Sequence, residues 1–227
     1  MAPPGAELGR GLMNRPPEAV PRAVLKLLDH LAGVRAMRDF YLAGGTGLAL
    51  LLSHRRSVDL DFFSEKNRLG GEERRALIGQ LKSLRGWALL EEKDGTLHGR
   101  LGGVRVSFFW YPQRGVRPFV RRGSLRIASV EDIALMKMGA VIGRGSRKDF
   151  IDLYEICRRV PLKDLLRLGQ KKFKDSRDFT LQALKALCFF EDAEREPPVR
   201  SVRPIPWVKV KEFFTRQVHT LGRRYLI

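Results

Sequence analysis

Two aspartates separated by one residue carry the strongest chemical signal in the sequence. Asp59 and Asp61 lie in the run SVDLDFFS, whose apolar residues predict a buried strand over Val58–Phe63. Because side chains alternate across a strand, both carboxylates face the same side. Neighbouring carboxylates repel each other unless they share a cation, and hard oxygen ligands favour Mg²⁺. The sequence therefore predicts that Asp59 and Asp61 are catalytic residues that bind a metal ion.

A glycine turn precedes the aspartates, and thirteen residues separate Gly45 from Asp59. Gly44, Gly45 and Thr46 follow a predicted short strand, Phe40–Ala43, and begin a predicted helix. Backbone N–H groups at such a turn, together with the positive end of the helix, favour a phosphate group. Each motif alone also fits a plain turn or a solvated pair of acids. Their order along the chain is more specific, and it predicts a combined site for phosphate and metal.

A third group of charged residues falls in two predicted helices after residue 130. Lys137 interrupts an apolar helix, where it either reaches solvent or binds a phosphate. Asp149 and Asp152 share one helical face. Asp149 either caps its helix or belongs to the site, whereas Asp152 has no capping position and is the better candidate to pair with Lys137 or orient a nucleophile. Arg144 and Arg147 flank the turn between the helices and are either phosphate contacts or solvated charges.

The elements that position these residues predict an α+β fold, with a mixed sheet and flanking helices followed by an all-α part. A first helix is predicted from Glu18 or Val20 to Leu31, and glycine turns separate the later strands. We expect a flexible lead-in over 1–17, an α/β core over 18–130 and a helical domain over 131–227. The later strands are predicted over Trp87–Glu91, Thr96–Leu101, Val104–Tyr111 and Ser124–Ala128, and the later helices from Ser129, Ser146 and Trp207 and over Leu162–Leu168 and Ser176–Glu194.

The composition limits the class of protein. Of the 227 residues, 44% are hydrophobic, which is typical of a globular protein with a buried core. The apolar runs are too short to span a bilayer. The two cysteines provide neither a disulfide framework nor a zinc-binding spacing. We therefore expect a cytoplasmic protein that does not enter a membrane.

The chain is strongly basic, with a net charge of +18. Residues 1–130 carry 22 basic and 12 acidic groups, so the excess is not confined to a tail. Such a domain favours a nucleic-acid partner through counterion release, although a general solubility charge is the alternative. The segment Arg114–Arg126 has five arginines and no acid. It is either a surface that follows RNA phosphates or a solvated strand edge.

Three segments together resemble the polymerase-beta-type minimal nucleotidyltransferases, and within them the AbiEii/AbiGii toxin group. The segments are YLAGGTGLALLL, SVDLDFFS and KMGAVIGRGSRKDFIDLYEI, and they extend over residues 40–156. The resemblance implies a nucleotidyltransferase fold, an NTP substrate with Mg²⁺ as cofactor, often a tRNA 3′ end as acceptor, and commonly an antitoxin partner. It also implies the following roles: phosphate contact for Gly44, Gly45 and Thr46, metal binding for Asp59 and Asp61, triphosphate contact for Lys137, and an essential late aspartate at Asp149 or Asp152.

One position departs from the pattern that the resemblance implies. Many enzymes of this fold carry a third carboxylate on a later strand, where it acts on the acceptor hydroxyl. The corresponding strand, Val104–Tyr111, has Ser107 there, and Phe108–Trp110 are expected in the core rather than in a base-stacking platform. The general base is then another group such as Asp152, or metal activation suffices. His98 has no metal-ligand spacing.

These observations favour transfer of a nucleoside monophosphate from an NTP to a hydroxyl, with RNA as the first choice of acceptor and a protein hydroxyl as a variant. A non-catalytic module that binds RNA or a partner on the same scaffold is the alternative, and Ser107 is its motivation.

Overall fold

The computed structural model describes residues 19–176 and 178–223, so the lead-in predicted over 1–17 lies outside the described residues. The chain divides into two units, Met1–Ser129 and Val130–Ile227. The glycine turn and the two aspartates predicted to bind metal belong to the first unit, whereas Lys137, Arg144 and the late aspartates belong to the second.

The first unit is built around a mixed sheet, as predicted. Its elements are α1 (Arg22–Ala32), a 3₁₀ turn (Arg35–Asp39), β1 (Tyr41–Leu42), α2 (Gly44–Leu52), β2 (Leu60–Ser64), α3 (Gly71–Lys82), β3 (Trp87–Lys93), β4 (Thr96–Leu101), β5 (Val104–Trp110), β6 (Val120–Arg122) and β7 (Leu125–Ile127). Within the described residues the sheet has seven strands in the order β3-β4-β5-β2-β1-β7-β6. The β2–β5 and β1–β7 pairs are parallel and the other pairs are antiparallel.

Side chains alternate between the two faces of the sheet along β2 and β5. One face packs into the core, and the other, which we call the site face, carries Asp61. Leu60 and Phe62 on β2, and Phe108 on β5, have no exposed surface, and the rings of Phe62 and Phe108 stack with centroids 5.4 Å apart. Asp61 on β2 and Ser107 on β5, which alternate with these buried residues, lie on the opposite face of the sheet. The buried aromatic face therefore fixes the register that places Asp61 on the opposite face.

The structure corrects some of the predicted strand boundaries. Strand β2 begins at Leu60 rather than Val58, because Val58 is 39% exposed and lies outside the core. Strand β6 was not predicted; it forms a short hairpin with β7 in the arginine-rich segment, where charge hides the strand pattern. Trp110, predicted in the core, is 41% exposed at the end of β5.

The second unit contains helices throughout its regular structure in the described part of the chain. They are α4 (Val130–Gly143), α5 (Arg147–Cys157), α6 (Leu162–Lys172), α7 (Phe179–Ala186), α8 (Glu191–Glu194) and α9 (Trp207–Gly222). The single helix predicted over Ser176–Glu194 was wrong, because the chain breaks between α7 and α8. At this break Phe190 packs against Phe150 and Trp207, with ring centroids 5.2 and 6.0 Å away.

Two further predictions concerned membrane insertion and the cysteines. Among the described residues, every helix is too short or too polar to cross a bilayer. Cys157 and Cys188, which both lie in the described part, are free thiols.

Candidate functional site

The glycine turn at the start of α2 lies directly against Asp61. Gly44 adopts a φ of +62°, and a Cβ atom built there would lie 2.6 Å from Asp61 Oδ2. The backbone N–H of Ala43 donates to the carbonyl oxygen of Asp61 at 3.0 Å, because the β1–β2 pairing continues to this level. The predicted proximity between the glycine turn and the DLD segment is therefore confirmed.

Thr46 ties the first turn of α2 to the start of β2. Its hydroxyl donates to the carbonyl oxygen of Asp59 at 2.5 Å, and its Oγ1 lies 2.9 Å from Ser57 Oγ. The Thr46 residue has no exposed surface. Its side chain therefore holds Asp59 against the turn, which leaves the backbone N–H as its means of contacting a phosphate.

The amides of the turn are suited to an anion. The first N–H groups of any helix have no partner within that helix, and among the described contacts α2 has no side-chain cap hydrogen bond. Gly44, Gly45 and Thr46 supply these N–H groups at the positive end of the helix dipole. The structure thus brings the three predicted phosphate-binding residues into one turn beside Asp61, and their role in phosphate binding stays a prediction.

The two aspartates differ in exposure. Asp61 is half-buried, whereas Asp59 is exposed and precedes the strand. The prediction that both aspartates lie in a buried strand was therefore wrong for Asp59. Both residues alternate with the buried Leu60 and Phe62, as predicted for a shared face.

The donor set is suited to Mg²⁺ bound together with phosphates. Within the described ranges, no cluster of three or more His, Cys, Asp or Glu side chains suited to a metal ion occurs. Mg²⁺ commonly takes one or two protein carboxylates and completes its octahedron with phosphate oxygens and water. Asp59 and Asp61, next to a helix N-terminus without a side-chain cap among the described contacts, fit this requirement.

Arg55 is a site residue that the sequence interpretation missed. His54 and Arg55 follow α2 and are both buried, with 7% of their surface exposed. A Cβ atom at Gly45 would lie 2.5 Å from Nη2 of Arg55 and 2.9 Å from Ser57 Oγ. The guanidinium therefore stands over the second glycine of the turn, where its planar fork suits a phosphate. Its position after the helix gave the only sequence signal.

Ser107 occupies the position beside Asp61 on the neighbouring strand, as predicted. The two residues are Cα partners in the parallel β2–β5 pair. On its other side Ser107 is the Cα partner of His98 on β4, and His98 Nδ1 lies 3.0 Å from Ser107 Oγ. The spacing of His98 in the sequence does not reveal this contact.

A buried charge cluster organises the second unit. Lys137 Nζ lies 2.6 Å from Asp149 Oδ1 and 2.9 Å from Asp152 Oδ2, and neither aspartate side chain is exposed. The predicted pairing of Lys137 with Asp152 is confirmed, and its alternative, a lysine that reaches solvent, is wrong. Asp149 accepts a hydrogen bond from the Ser146 hydroxyl at 2.6 Å, so its carboxylate joins the cluster instead of capping the backbone.

Electrostatics keeps Lys137 charged in this cluster. Burial lowers the pKa of Lys137, but Asp152 and Asp149 outweigh burial, and the pKa is raised above its ordinary value. One ammonium faces two carboxylates, so the three groups sum to a negative charge. The catalytic roles of Asp149 and Asp152, and the triphosphate contact of Lys137, stay predictions.

The two arginines of the α4–α5 turn differ. Arg144 has a side chain that is 68% exposed, with Nε 3.8 Å from Asp149 Oδ2, so it is available to a phosphate. Arg147 donates through Nε to the carbonyl oxygen of Ala193 at 2.9 Å and stacks over the ring of Trp207 at 5.1 Å. Arg147 therefore has a structural role in the second unit.

The arginines of the segment Arg114–Arg126 also differ: some contact the first unit and others are exposed. Arg122 pairs with Asp29 at 3.4 Å, and Arg126 donates to the Arg38 carbonyl oxygen at 2.6 Å. Arg114 and Arg121 are exposed. The segment thus anchors itself to the first unit through two arginines and presents others to solvent.

Comparisons with known proteins connect this geometry to a family. The family described as nucleotidyl transferase AbiEii toxin, of a type IV toxin–antitoxin system, matches residues 26–214. An uncharacterized protein of Aquifex aeolicus (strain VF5) is 38% identical over 196 residues, which cover 84% of this chain and 92% of that protein.

Two solved structures share the fold at low sequence identity. ANT(2″)-Ia, in complex with adenylyl-2″-tobramycin, has a TM-score of 0.52 at 15% identity over 68% of this chain and 99% of that chain. A nucleotidyltransferase candidate from H. pylori has a TM-score of 0.50 at 15% identity over 90% of this chain and 96% of that chain. The predicted nucleotidyltransferase-type fold is confirmed.

Proposed function

The chain belongs to the AbiEii family of nucleotidyltransferases, and we propose that it transfers a nucleoside monophosphate from an NTP to an acceptor hydroxyl with Mg²⁺ as cofactor. The observation that carries the proposal is the contact between the glycine turn and the DLD segment, where the Cβ position of Gly44 lies 2.6 Å from Asp61 Oδ2. An anion-binding turn and a carboxylate that binds a hard cation meet at one point. This is the arrangement that a metal-bound triphosphate requires.

Each residue of the turn has a separate task in this proposal. Asp59 and Asp61 hold Mg²⁺, and the N–H groups of Gly44, Gly45 and Thr46 bind phosphate oxygens. Bound Mg²⁺ supplies charge neutralisation for the reacting phosphate and the leaving pyrophosphate. Thr46 keeps Asp59 in place through its hydrogen bond to the Asp59 carbonyl oxygen.

RNA is the class of acceptor that the charge favours, and a tRNA 3′ end is our first choice within it because the resemblance to the family implies that acceptor. The net charge of +18 attracts a polyanion, and Arg114 and Arg121 are exposed on the first unit. The family is one of toxins in type IV toxin–antitoxin systems. We therefore include a cognate antitoxin among the proposed partners, and we propose that the protein acts in the cytoplasm, where NTPs and tRNA occur.

The proposal is tested by incubating the protein with each radiolabelled NTP, Mg²⁺ and total tRNA. Label should enter the RNA band, and Asp61→Asn should reduce this transfer by at least about 100-fold, because the variant loses a ligand of the Mg²⁺ that neutralises charge on the reacting phosphate. Asp94→Asn is the matched control, since the side chain of Asp94 is 91% exposed and its change should leave transfer unaltered. Label in a protein band instead of RNA would replace the acceptor but keep the chemistry.

A binding module without catalysis is the second candidate, and Ser107 beside Asp61 favours it. This candidate predicts tight RNA binding, no nucleotide transfer with any NTP, and no effect of Asp61→Asn on RNA binding. Transfer that depends on Asp61 excludes it.

A further inference from the structure

Three polar side chains form a row across neighbouring strands of the first unit. Asp61 on β2 is the Cα partner of Ser107 on β5, and Ser107 is the Cα partner of His98 on β4. Paired residues on adjacent strands lie on one face of a sheet, about 4.8 Å apart from strand to strand. The row therefore places an imidazole two strands from the proposed metal-binding carboxylate.

Burial confirms that the row lies on the site face. The residues adjacent to it along the strands, Leu60, Leu97 and Val106, have no exposed surface and form the core on the opposite side. His98 itself is half-buried. Its ring meets the edge of the Phe109 ring at 5.5 Å with an interplanar angle of 75°, which restricts rotation of the imidazole.

The surroundings of His98 favour a neutral ring. Burial lowers the pKa of His98, and Arg105 lowers it further, whereas Glu91 and Asp61 raise it and Lys93 lowers it; the net effect is a lowered pKa. These charged groups face the ring from β2, β3 and β5. Nδ1 lies 3.0 Å from Ser107 Oγ. When Nδ1 carries the ring proton and donates it to this hydroxyl, Nε2 is the nitrogen that accepts a hydrogen bond from a ligand.

We infer that His98 is a catalytic residue, whose Nε2 accepts the proton of the acceptor hydroxyl while Ser107 fixes the ring through Nδ1. This inference rests on the proposed function. The acceptor oxygen forms a bond to the α-phosphorus of the NTP, and the bond from that phosphorus to the bridging oxygen breaks. Its electron pair leaves on pyrophosphate, the hydroxyl proton moves to Nε2, and the ring later releases it to water.

His98 thus takes the role of general base. The sequence had left two alternatives for this step, a base such as Asp152 or activation by the metal without a base. Asp152 forms a buried ion pair with Lys137, whose Nζ lies 2.9 Å from Asp152 Oδ2. His98 instead shares a unit and a sheet face with Asp61. Ser107 is then the positioning residue for the imidazole.

The kinetic experiment compares His98→Gln, Ser107→Ala and His98→Gln/Ser107→Asp with wild type. His98→Gln should lower kcat by about 100-fold or more and leave KM for the NTP unchanged. Ser107→Ala should lower kcat by a smaller factor. The Ser107→Asp change should restore part of the activity lost in His98→Gln, because a carboxylate then lies beside Asp61. His30→Gln is the control, since His30 is exposed on α1 and bonds to the Lys26 carbonyl oxygen of its own helix.

The pH profile separates catalysis from folding. The wild-type kcat should fall as the pH drops through the pKa of His98, and the residual activity of His98→Gln should lack this limb. A His98→Gln variant that keeps the wild-type kcat and pH profile overturns the inference. Absence of transfer by the wild type counts against the proposed function instead.

Nitrogen-15 NMR of the imidazole gives a readout without turnover. In the wild-type protein the His98 resonances should show the proton on Nδ1 and a titration below the ordinary pKa of 6.5, and Ser107→Ala should mix the two tautomers. His98 is assigned by the resonance that His98→Gln removes. A ring that carries its proton on Nε2 overturns the inference.

Discussion

Gly44 and Asp61 are packed so closely that the Cβ position of residue 44 lies 2.6 Å from the Asp61 carboxylate oxygen Oδ2 and 3.2 Å from Asp61 Cβ. The φ of +62° at Gly44 also belongs to the left-handed region, which costs other residues about 1–2 kcal/mol. Two independent constraints therefore require glycine at this position, and one of them comes from a proposed metal ligand.

Gly44→Ala should abolish nucleotide transfer, with a loss of at least about 100-fold, because the new methyl group displaces the Asp61 carboxylate, which we propose holds the Mg²⁺ that neutralises transition-state charge. Transfer rate and thermal unfolding are the measurements. Gly103→Ala is the matched control, since Gly103 also has a positive φ, of +81°, and nothing lies within 4 Å of its Cβ position. If both variants lose the same fraction of activity, backbone strain rather than displacement of Asp61 explains the effect.

Thr46→Val should lower the free energy of unfolding by about 0.5–1.5 kcal/mol, because the part-buried hydrogen bond from the Thr46 hydroxyl to the Asp59 carbonyl oxygen is lost. Thr46→Ser keeps the hydroxyl and should retain most of the stability. Chemical denaturation measures both variants. We also expect Thr46→Val to weaken transfer, since Asp59 is no longer held against the turn. Equal stability of the two variants would contradict this account.

Lys137→Met should destabilise the protein by about 3–5 kcal/mol, because it leaves two buried carboxylates without their ammonium. Lys137→Met combined with Asp149→Asn and Asp152→Asn should recover part of this loss, since the uncompensated charge is removed. Lys93→Met is the control, because the Lys93 side chain is 65% exposed in its pair with Glu91 and such pairs contribute about 0–1 kcal/mol. Urea unfolding at neutral pH measures all three.

The same lysine predicts a pH dependence at the alkaline end. The pKa of Lys137 is raised in the folded state above its ordinary value of 10.5. The ion-pair contribution is therefore fully present below pH 10.5 and is lost as the pH rises through the folded-state pKa. The difference in unfolding free energy between wild type and Lys137→Met should stay constant from neutral pH to about 10 and decrease above it. A difference that shrinks already near pH 8 would oppose this assignment.

Arg114→Gln combined with Arg121→Gln should weaken RNA binding and reduce the slope of log K against log salt by about one to two, as expected for two lost phosphate contacts. Filter binding across a salt series measures the slope. Lys82→Gln with Arg85→Gln removes the same charge from exposed positions at the end of α3 and should change the slope less. Equal effects of the two double variants would indicate that net charge, not the arginine-rich segment, determines binding.

The sequence predicts the parts of the site that depend on local spacing. Asp59, Asp61 and the glycine turn fall within 18 residues, from Gly44 to Asp61, and strand alternation with helix geometry is enough to bring them together. The pairing of Lys137 with Asp152 was also predictable, because a buried ammonium requires an acid and the next helix offers one. The α+β fold followed from the change in periodicity near residue 130.

The remaining features depend on tertiary structure. Contact between His98 and Ser107 requires the register of β4 on β5, and its relation to Asp61 requires the further parallel pairing of β5 with β2, which no short pattern reveals. Arg55 reads as a solvated charge in sequence, and only the packing of its turn against α2 buries it. The break between α7 and α8 likewise reflects the packing of Phe190 rather than any local helix breaker.

Helix α2 is buried along most of its length, and its N-terminus lacks a side-chain cap among the described contacts. An anion that settles on those N–H groups completes the helix end, so its binding free energy is added to the free energy of unfolding. If the turn binds the nucleotide as proposed, adding NTP should raise the melting temperature, whether or not an acceptor is present. Such measurements with each NTP in turn would identify the preferred base in a variant that cannot turn over, as long as its glycine turn is intact.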